Sequence, residues 1–311
     1  MDNAFLNRGQ TPEKLCKPGK PARIIVLAGQ SNAVGVGHVE CLPKHFAPER
    51  IRGWEQGFRN IKINYFSHDK KSGGFVNTTT GCTEVSKNTI GPELGIAEAL
   101  EEQFPGEEFF IVKCAFGGTS LHTDWLSPSC GGNYDPAAFA DQKENIIANY
   151  FVGPPVRAGW CFNELVKLLG ESIDLLKASG YEPAIAGFCW MQGEGDADTP
   201  EHTAQYSRLY DCMLNDFKAA FGEYAGECVF VDAGISTVWP RYGEVNAAKL
   251  EYARAHDDCF FIDTIAAGFT TEHEPFDVPD IYHYDTDCVI RLGQLFAGPV
   301  IERLRTDRDK N

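Results

Sequence analysis

No stretch of about 18 consecutive apolar residues occurs in the 311-residue chain, so no helix is composed to span a bilayer. Met1 to Arg8 lack the basic start and apolar core of a signal peptide, which points to a cytoplasmic location. Positive charge is scarce. Lys and Arg number 28 against 44 Asp and Glu, a net charge of −16 that disfavours nucleic acid and anionic membrane surfaces as partners. The eleven cysteines include no Cys-x-x-Cys spacing, and an odd count without a framework pattern predicts reduced thiols and no structural zinc. None of the eight histidines falls in a His-x-x-x-His spacing, which argues against a metal-dependent hydrolase, so neither metal nor cofactor is expected. Val34-Gly35-Val36-Gly37 begins like a dinucleotide-binding loop, but Glu40 stands where the third glycine belongs. No lysine follows at P-loop spacing either.

What is present is a core-forming composition, 43% hydrophobic and 12% aromatic. Residues 1–22 are polar and carry Pro12, Pro18, Gly19 and Pro21, which reads as a loosely attached arm. Residues 23–311 show no internal repeat and no linker-like shift, so one domain is expected there. Ile24-Ile25-Val26-Leu27-Ala28 is too short for a buried helix and reads as a strand buried on both faces. Further apolar runs predict strands at Phe109–Cys114, Ala184–Trp190, Glu227–Asp232 and Cys259–Ile262. Between them, helical spacing appears after Pro92, over Ala158–Ser179, after Thr199-Pro200 and near Glu244–Ala255. A last helix from about Thr286 is expected to kink or end at Pro299. Alternation around Trp54, Ile61, Ile63 and Tyr65 suggests a β-hairpin over residues 51–66. Strands alternating with helices make an α/β domain with a mainly parallel, five-stranded sheet, whose strand ends would share one rim.

That rim carries unusual polar residues. Ala28-Gly29-Gln30-Ser31-Asn32 places a hydroxyl just past the first strand, where open α/β sheets bind ligands; taken alone, Ser31 reads equally as a helix cap. Gly117-Gly118 after the second strand is either a tight turn or a backbone N–H aimed at an oxyanion. Gln192 after the third is a buried amide or a donor to that oxyanion. Asp280-Ile281-Tyr282-His283 is a surface turn, or a carboxylate fixing an imidazole as a base. Glu194 and Asp196 could form a glycosidase pair, but that chemistry needs carboxyls about 5–9.5 Å apart across a sugar, which neighbours on one loop seldom reach. The long irregular segment from Leu121 to Arg157 contains Trp125, Tyr134 and Tyr150, which suggest walls for stacking a sugar.

Each feature has a bland explanation alone, but their order along the chain resembles the SGNH hydrolases, and within them the sialate O-acetylesterase-like branch that includes carbohydrate esterase family 6. Gly29-Gln30-Ser31-Asn32 looks like the nucleophile block, Phe116-Gly117-Gly118-Thr119-Ser120 like the second and Trp190-Met191-Gln192-Gly193-Glu194 like the third. Asp280-Ile281-Tyr282-His283-Tyr284 looks like the fourth, and Ile90-Gly91-Pro92-Glu93 like a further recurrent segment. The resemblance spans about residues 23–298. It implies a flavodoxin-like three-layer α/β/α sandwich and a cofactor-free serine esterase that removes O-acetyl groups from carbohydrates. Carried over by position, Ser31 is the nucleophile, His283 the base and Asp280 its orienting acid. The oxyanion hole is the Ser31 N–H, the N–H of Gly117 in preference to Gly118, and the Gln192 side chain, with Gln30, Asn32 and Glu194 in support. The wider superfamily has Asn where this chain has Gln192, and the carbohydrate-esterase branch shares the Gln. Ile281, Tyr282 and the segment after Ser120 depart from the family pattern, which leaves the sugar unassigned. The competing expectation is a sugar-binding protein that kept the fold and lost turnover.

Overall fold

The apolar run that opens the fold becomes strand β1, Lys20–Gly29, in which every residue from Ile24 onward is buried. The structure, a computed structural model, describes residue 15 and residues 19–68, 70–81, 89–133, 158–274 and 280–309. The arm expected over 1–22 falls mostly outside the described residues, and its last three residues already belong to β1. The other principal strands are β2 (Phe58–Ser67), β3 (Phe109–Ala115), β4 (Tyr181–Met191), β5 (Val229–Ala233) and β6 (Cys259–Ile262). The principal helices are α1 (Ser31–Val34), α2 (Pro48–Gln56), α3 (Glu93–Gln103), α4 (Trp160–Ala178), α5 (Pro200–Phe221), α6 (Tyr242–Ala255) and α7 (Thr286–Asp309).

All six principal strands run parallel, in the order β6-β5-β4-β1-β3-β2. Adjacent residues of a strand point to opposite faces, and this sorts the helices. Phe188 of β4 packs edge-on against Phe217 of α5, whereas at Gly187 an added Cβ would come within 2.5 Å of Val300 of α7. Helix α4 packs beside α5, and α3 beside α7. The result is a three-layer α/β/α sandwich around a mainly parallel sheet.

Four details depart from expectation. The sheet has six parallel strands rather than five, with Lys70–Lys71 and Val76–Thr78 paired antiparallel to β2. The proposed hairpin is instead a helix followed by a strand: α2 buries Trp54 and stops at Gly57, and β2 pairs in parallel with β3. The alternation misled because Lys62 and Asn64 are buried and hydrogen-bonded, to Asn77 and Ser172, so they do not mark a wet face. Helix α7 does not end at Pro299 but continues to Asp309, with Phe296 and Val300 buried on either side of the proline. The thiols are not all reduced either: Cys130 is bonded to Cys212. Among the described residues no helix is long and apolar enough to cross a membrane.

Candidate functional site

Parallel register brings the strand ends together. Gly29 lies opposite Ala115 of β3 and Met191 of β4, so the segments that follow, beginning at Gln30, Phe116 and Gln192, emerge side by side. Two backbone bonds stitch them: Gln30 N–H to Met191 O at 2.9 Å, and Phe116 N–H to Gly29 O at 3.0 Å. Gly29 is obligatory at this junction, because its φ is +141° and a Cβ there would lie 1.9 Å from Met191 O. The chain also runs outward in opposite directions from β1, to β3 and β2 on one side and to β4, β5 and β6 on the other, which makes its end a topological switch point.

Ser31 opens the four-residue helix α1 and is half-buried, and its Oγ bonds no described residue. Gly117 lies against it: a Cβ at Gly117 would sit 3.6 Å from Ser31 Cβ. Gly118 has nothing within 4 Å of the equivalent point and is exposed. Neither the Ser31 nor the Gly117 N–H is bonded within the described residues, so both are open donors beside the hydroxyl.

The fourth block folds back onto the first. His283 Nδ1 meets Asp280 Oδ2 at 2.5 Å, and the Tyr282 N–H donates to Asp280 Oδ1 at 3.0 Å. That contact leaves His283 Nε2 as the ring nitrogen open to a hydroxyl. Burial alone would raise the Asp280 carboxyl, but its hydrogen bond to His283, the imidazole's charge and the Tyr282 N–H together hold it below its ordinary value. Asn32 joins three blocks: its Nδ2 donates to Glu194 Oε1 at 2.8 Å, and its Oδ1 accepts from the Tyr284 N–H at 3.1 Å. Ser31 and His283 are thus the chain neighbours of two hydrogen-bonded residues. No bond joins Ser31 Oγ to Nε2 directly; such contacts are often long until substrate is bound. Tyr284 is anchored in turn through its hydroxyl, which donates to Gly234 O at 2.9 Å.

Two expected site residues need correction. Gln192 is completely buried, and its Nε2 donates inward to Asp196 Oδ2 at 2.6 Å and Thr119 O at 3.2 Å, so it offers no free N–H to an oxyanion. Gln30 is also buried, but its amide is bonded the other way round. Its Oε1 accepts from the Gly195 N–H at 3.1 Å and from Gln192, while its Nε2 bonds no described residue. Trp125 is no sugar wall: it is fully buried, edge-on to Trp190, with its Nε1 donating to Thr119. Tyr134 and Tyr150 lie outside the described residues. The glycosidase pair also fails, because Glu194 and Asp196 are both buried, Glu194 accepting from Asn32 of α1 and Asp196 from the backbone of Leu121.

Asp196 organises the rim, a role that sequence reasoning missed. Its carboxylate accepts from the Leu121 N–H at 2.8 Å, the His122 N–H at 2.9 Å and Gln192 Nε2, pinning the loop that carries Gly117 to the third block. Burial pushes this carboxyl from 3.8 up to about 6 against those three bonds. A folded carboxyl raised in this way gives stability that is full below its unfolded value and lost as pH climbs through the folded one, on the order of 3 kcal/mol in all. Asp196→Asn lacks that loss. Its unfolding free energy relative to the unmodified chain is therefore expected to rise by this order between about pH 4 and pH 7, as read by urea denaturation. A constant difference across that range would show that Asp196 titrates normally. Burial likewise raises the Glu194 carboxyl, opposed by the bond from Asn32.

Two buried lysines brace the rim from beneath. Lys113 Nζ donates to Val34 O, the C-terminal end of α1, and to Glu93, both at 2.7 Å. Lys249 Nζ donates to Asp232, to Ala233 O and to the backbone carbonyl of Gln192. Among the described residues, no group of three or more His, Cys, Asp or Glu side chains is placed to hold a metal ion.

The profile of the carbohydrate esterase, sialic acid-specific acetylesterase family matches residues 21–302. No curated protein matches the sequence. Among solved structures, a protein from Arabidopsis thaliana superposes with a TM-score of 0.62 at 16% identity, covering 91% of this chain and 98% of its own. NanS superposes with a TM-score of 0.61 at 16% identity, covering 94% and 99%. A carbohydrate acetylesterase from Xanthomonas citri gives 0.54 at 13% identity, covering 91% of this chain but 57% of the longer relative. At these identities the superpositions speak for the fold.

Proposed function

The chain belongs to the carbohydrate esterase, sialic acid-specific acetylesterase family, and from that premise we propose that it works as a serine esterase, with Ser31 as nucleophile, His283 as base and Asp280 as the acid that orients the base. It is a carboxylic ester hydrolase of the carbohydrate acetylesterase class, which leaves the non-catalytic sugar-binding reading without an observation in its favour. The observation that supports the mechanism is the hydrogen bond between Asn32 and Tyr284, whose chain neighbours are Ser31 and His283, the latter bonded to Asp280.

In the proposed reaction His283 Nε2 takes the Ser31 proton as Oγ attacks the acetyl carbonyl. The tetrahedral oxyanion meets the Ser31 and Gly117 N–H groups and, in place of Gln192, the Gln30 side-chain nitrogen. Collapse expels the sugar hydroxyl, protonated by His283, and leaves an acetyl ester on Ser31. Water, deprotonated by His283, then releases acetate. Nothing in this sequence of steps calls on a cofactor. Asp280, ionised and bonded to Nδ1, holds the imidazole in the tautomer that can accept at Nε2 and stabilises the imidazolium that forms.

The choice of third donor is testable. Gln30→Ala is expected to slow acetate release about 10²–10³-fold, the usual loss of one oxyanion donor, while Gln192→Ala acts mainly on stability. The reverse ranking in kcat/KM would return the role to Gln192. The reading as a whole is tested by acetate release from acetylated xylan, O-acetylated sialic acid and simple acetyl-sugars. Ser31-dependent release from at least one supports it, and release that is equal with Ser31→Ala contradicts it.

A further inference from the structure

The family resemblance leaves Ile281 and Tyr282 unused, and the structure leaves both exposed. Tyr282 is 50% exposed and Ile281 44%, the two most exposed large apolar side chains among the described residues. They stand on the turn between Asp280 and His283, next in the chain to the proposed base. Tyr282 is not alone there. Trp239, on the loop that follows β5, lies with its ring centre 5.4 Å away and its plane inclined by 45°.

This pairing is built on a braced scaffold. At the root of the Trp239 loop, Asn246 bonds Ile235 twice, accepting from its N–H at 2.8 Å and donating to its carbonyl at 2.9 Å. The Gly234 carbonyl accepts from the hydroxyls of Tyr284 and Thr264. Tyr284 directly follows His283, so the Trp239 loop and the base are tied to one anchor. The backbone N–H of Tyr282 is already engaged with Asp280. Its ring is therefore free to serve another purpose without disturbing the acid–base pair.

We propose that Trp239 and Tyr282 form the platform on which the pyranose ring of the leaving sugar stacks. This rests on the esterase reading and names the part of the substrate that the machinery around Ser31 does not touch. A pyranose offers one face of C–H groups and a rim of hydroxyls. Two inclined aromatic rings can cover that face while leaving the hydroxyls in water, gaining apolar contact without having to pair them. The acetyl group then reaches Ser31, and the sugar oxygen to which it is attached comes within range of His283. Trp239 and Tyr282 are specificity-determining in this arrangement: they act on the binding of the sugar and leave the chemistry at the carbonyl to the rim.

The test compares kcat/KM for a monoacetylated methyl xylopyranoside with that for ethyl acetate, whose leaving group has no ring to stack. In Trp239→Ala and in Tyr282→Ala the ratio of the two is expected to fall about tenfold or more, through KM for the sugar ester. Trp239→Phe and Tyr282→Phe, which keep an aromatic face, are expected to retain most of it and to control for any loss of packing at half-buried Trp239. An unchanged ratio in both alanine variants, or an equal loss in the phenylalanine variants, overturns the platform. Neither result touches the esterase reading, which hydrolysis of ethyl acetate surviving in Ser31→Ala would contradict instead.

Discussion

Ser31→Ala and His283→Ala are each expected to lower kcat for acetate release by about 10⁴–10⁶, and the double variant to be no slower than the slower single. The non-additivity follows from their working as a unit, since a base without a hydroxyl to deprotonate contributes nothing further. Folding should be nearly untouched in Ser31→Ala, because the Ser31 Oγ bonds no described residue and such sites usually shift stability by less than about 0.5 kcal/mol. Unfolding curves that superimpose on those of the unmodified protein would assign the rate loss to chemistry. Losses that multiply in the double variant would mean that the two residues act independently, against the proposed proton transfer.

The largest expected loss of stability lies beneath the site. Lys249 is fully buried, and its partner Asp232 is 3% exposed. Lys249→Met keeps the apolar stem but strands the Asp232 carboxylate and the carbonyls of Ala233 and Gln192 in a dry interior. Breaking a buried pair by removing one partner costs about 3–5 kcal/mol, a large share of the stability of most domains. Urea denaturation at pH 7 should show it. Burial pushes the Asp232 carboxyl up to about 6, against its bond to Lys249, so in the variant this group is expected to take up a proton more readily. Part of the loss should then be recovered as pH is lowered toward 5, where protonation relieves the unpaired charge. A deficit that is the same at both pH values would mean that the pair is not what Lys249 supports.

Much of the architecture was legible because burial on both faces of a parallel strand leaves an apolar run that little else produces. β1, β3, β4 and β5 were found in this way, each within a few residues of its observed limits, and the edge strand β6 by its apolar letters although it is only partly buried. β2 was not, because Lys62 and Asn64 are polar residues satisfied inside the fold, and a pattern of letters cannot tell a buried hydrogen bond from a solvated face. The site shows the same division. Ser31, Asp280 and His283 each read alone as a cap or a surface turn, and only the order of their blocks, which resembles the family pattern, singled them out as candidates. The inward turn of the Gln192 amide depends on Asp196 and Thr119, whose approach to it is tertiary. Trp125 fell in a segment that looked like a surface loop, but its indole is needed in the core against Trp190. The signal that could have located the bracing was present: Lys113 and Asp232 each interrupt an otherwise apolar strand, which is where a buried charge with a structural duty is to be sought.

The most direct test of the central claim is to trap the intermediate. Protein mixed with excess acetylated sugar, quenched in acid during the first turnovers and digested for mass spectrometry, should carry a single acetyl group on the peptide containing Ser31. The adduct should be absent from Ser31→Ala and should vanish from the unmodified protein once substrate is exhausted. Rapid acetate release with no adduct at any time point, or an adduct confined to another side chain, would contradict the assignment of Ser31 as the nucleophile.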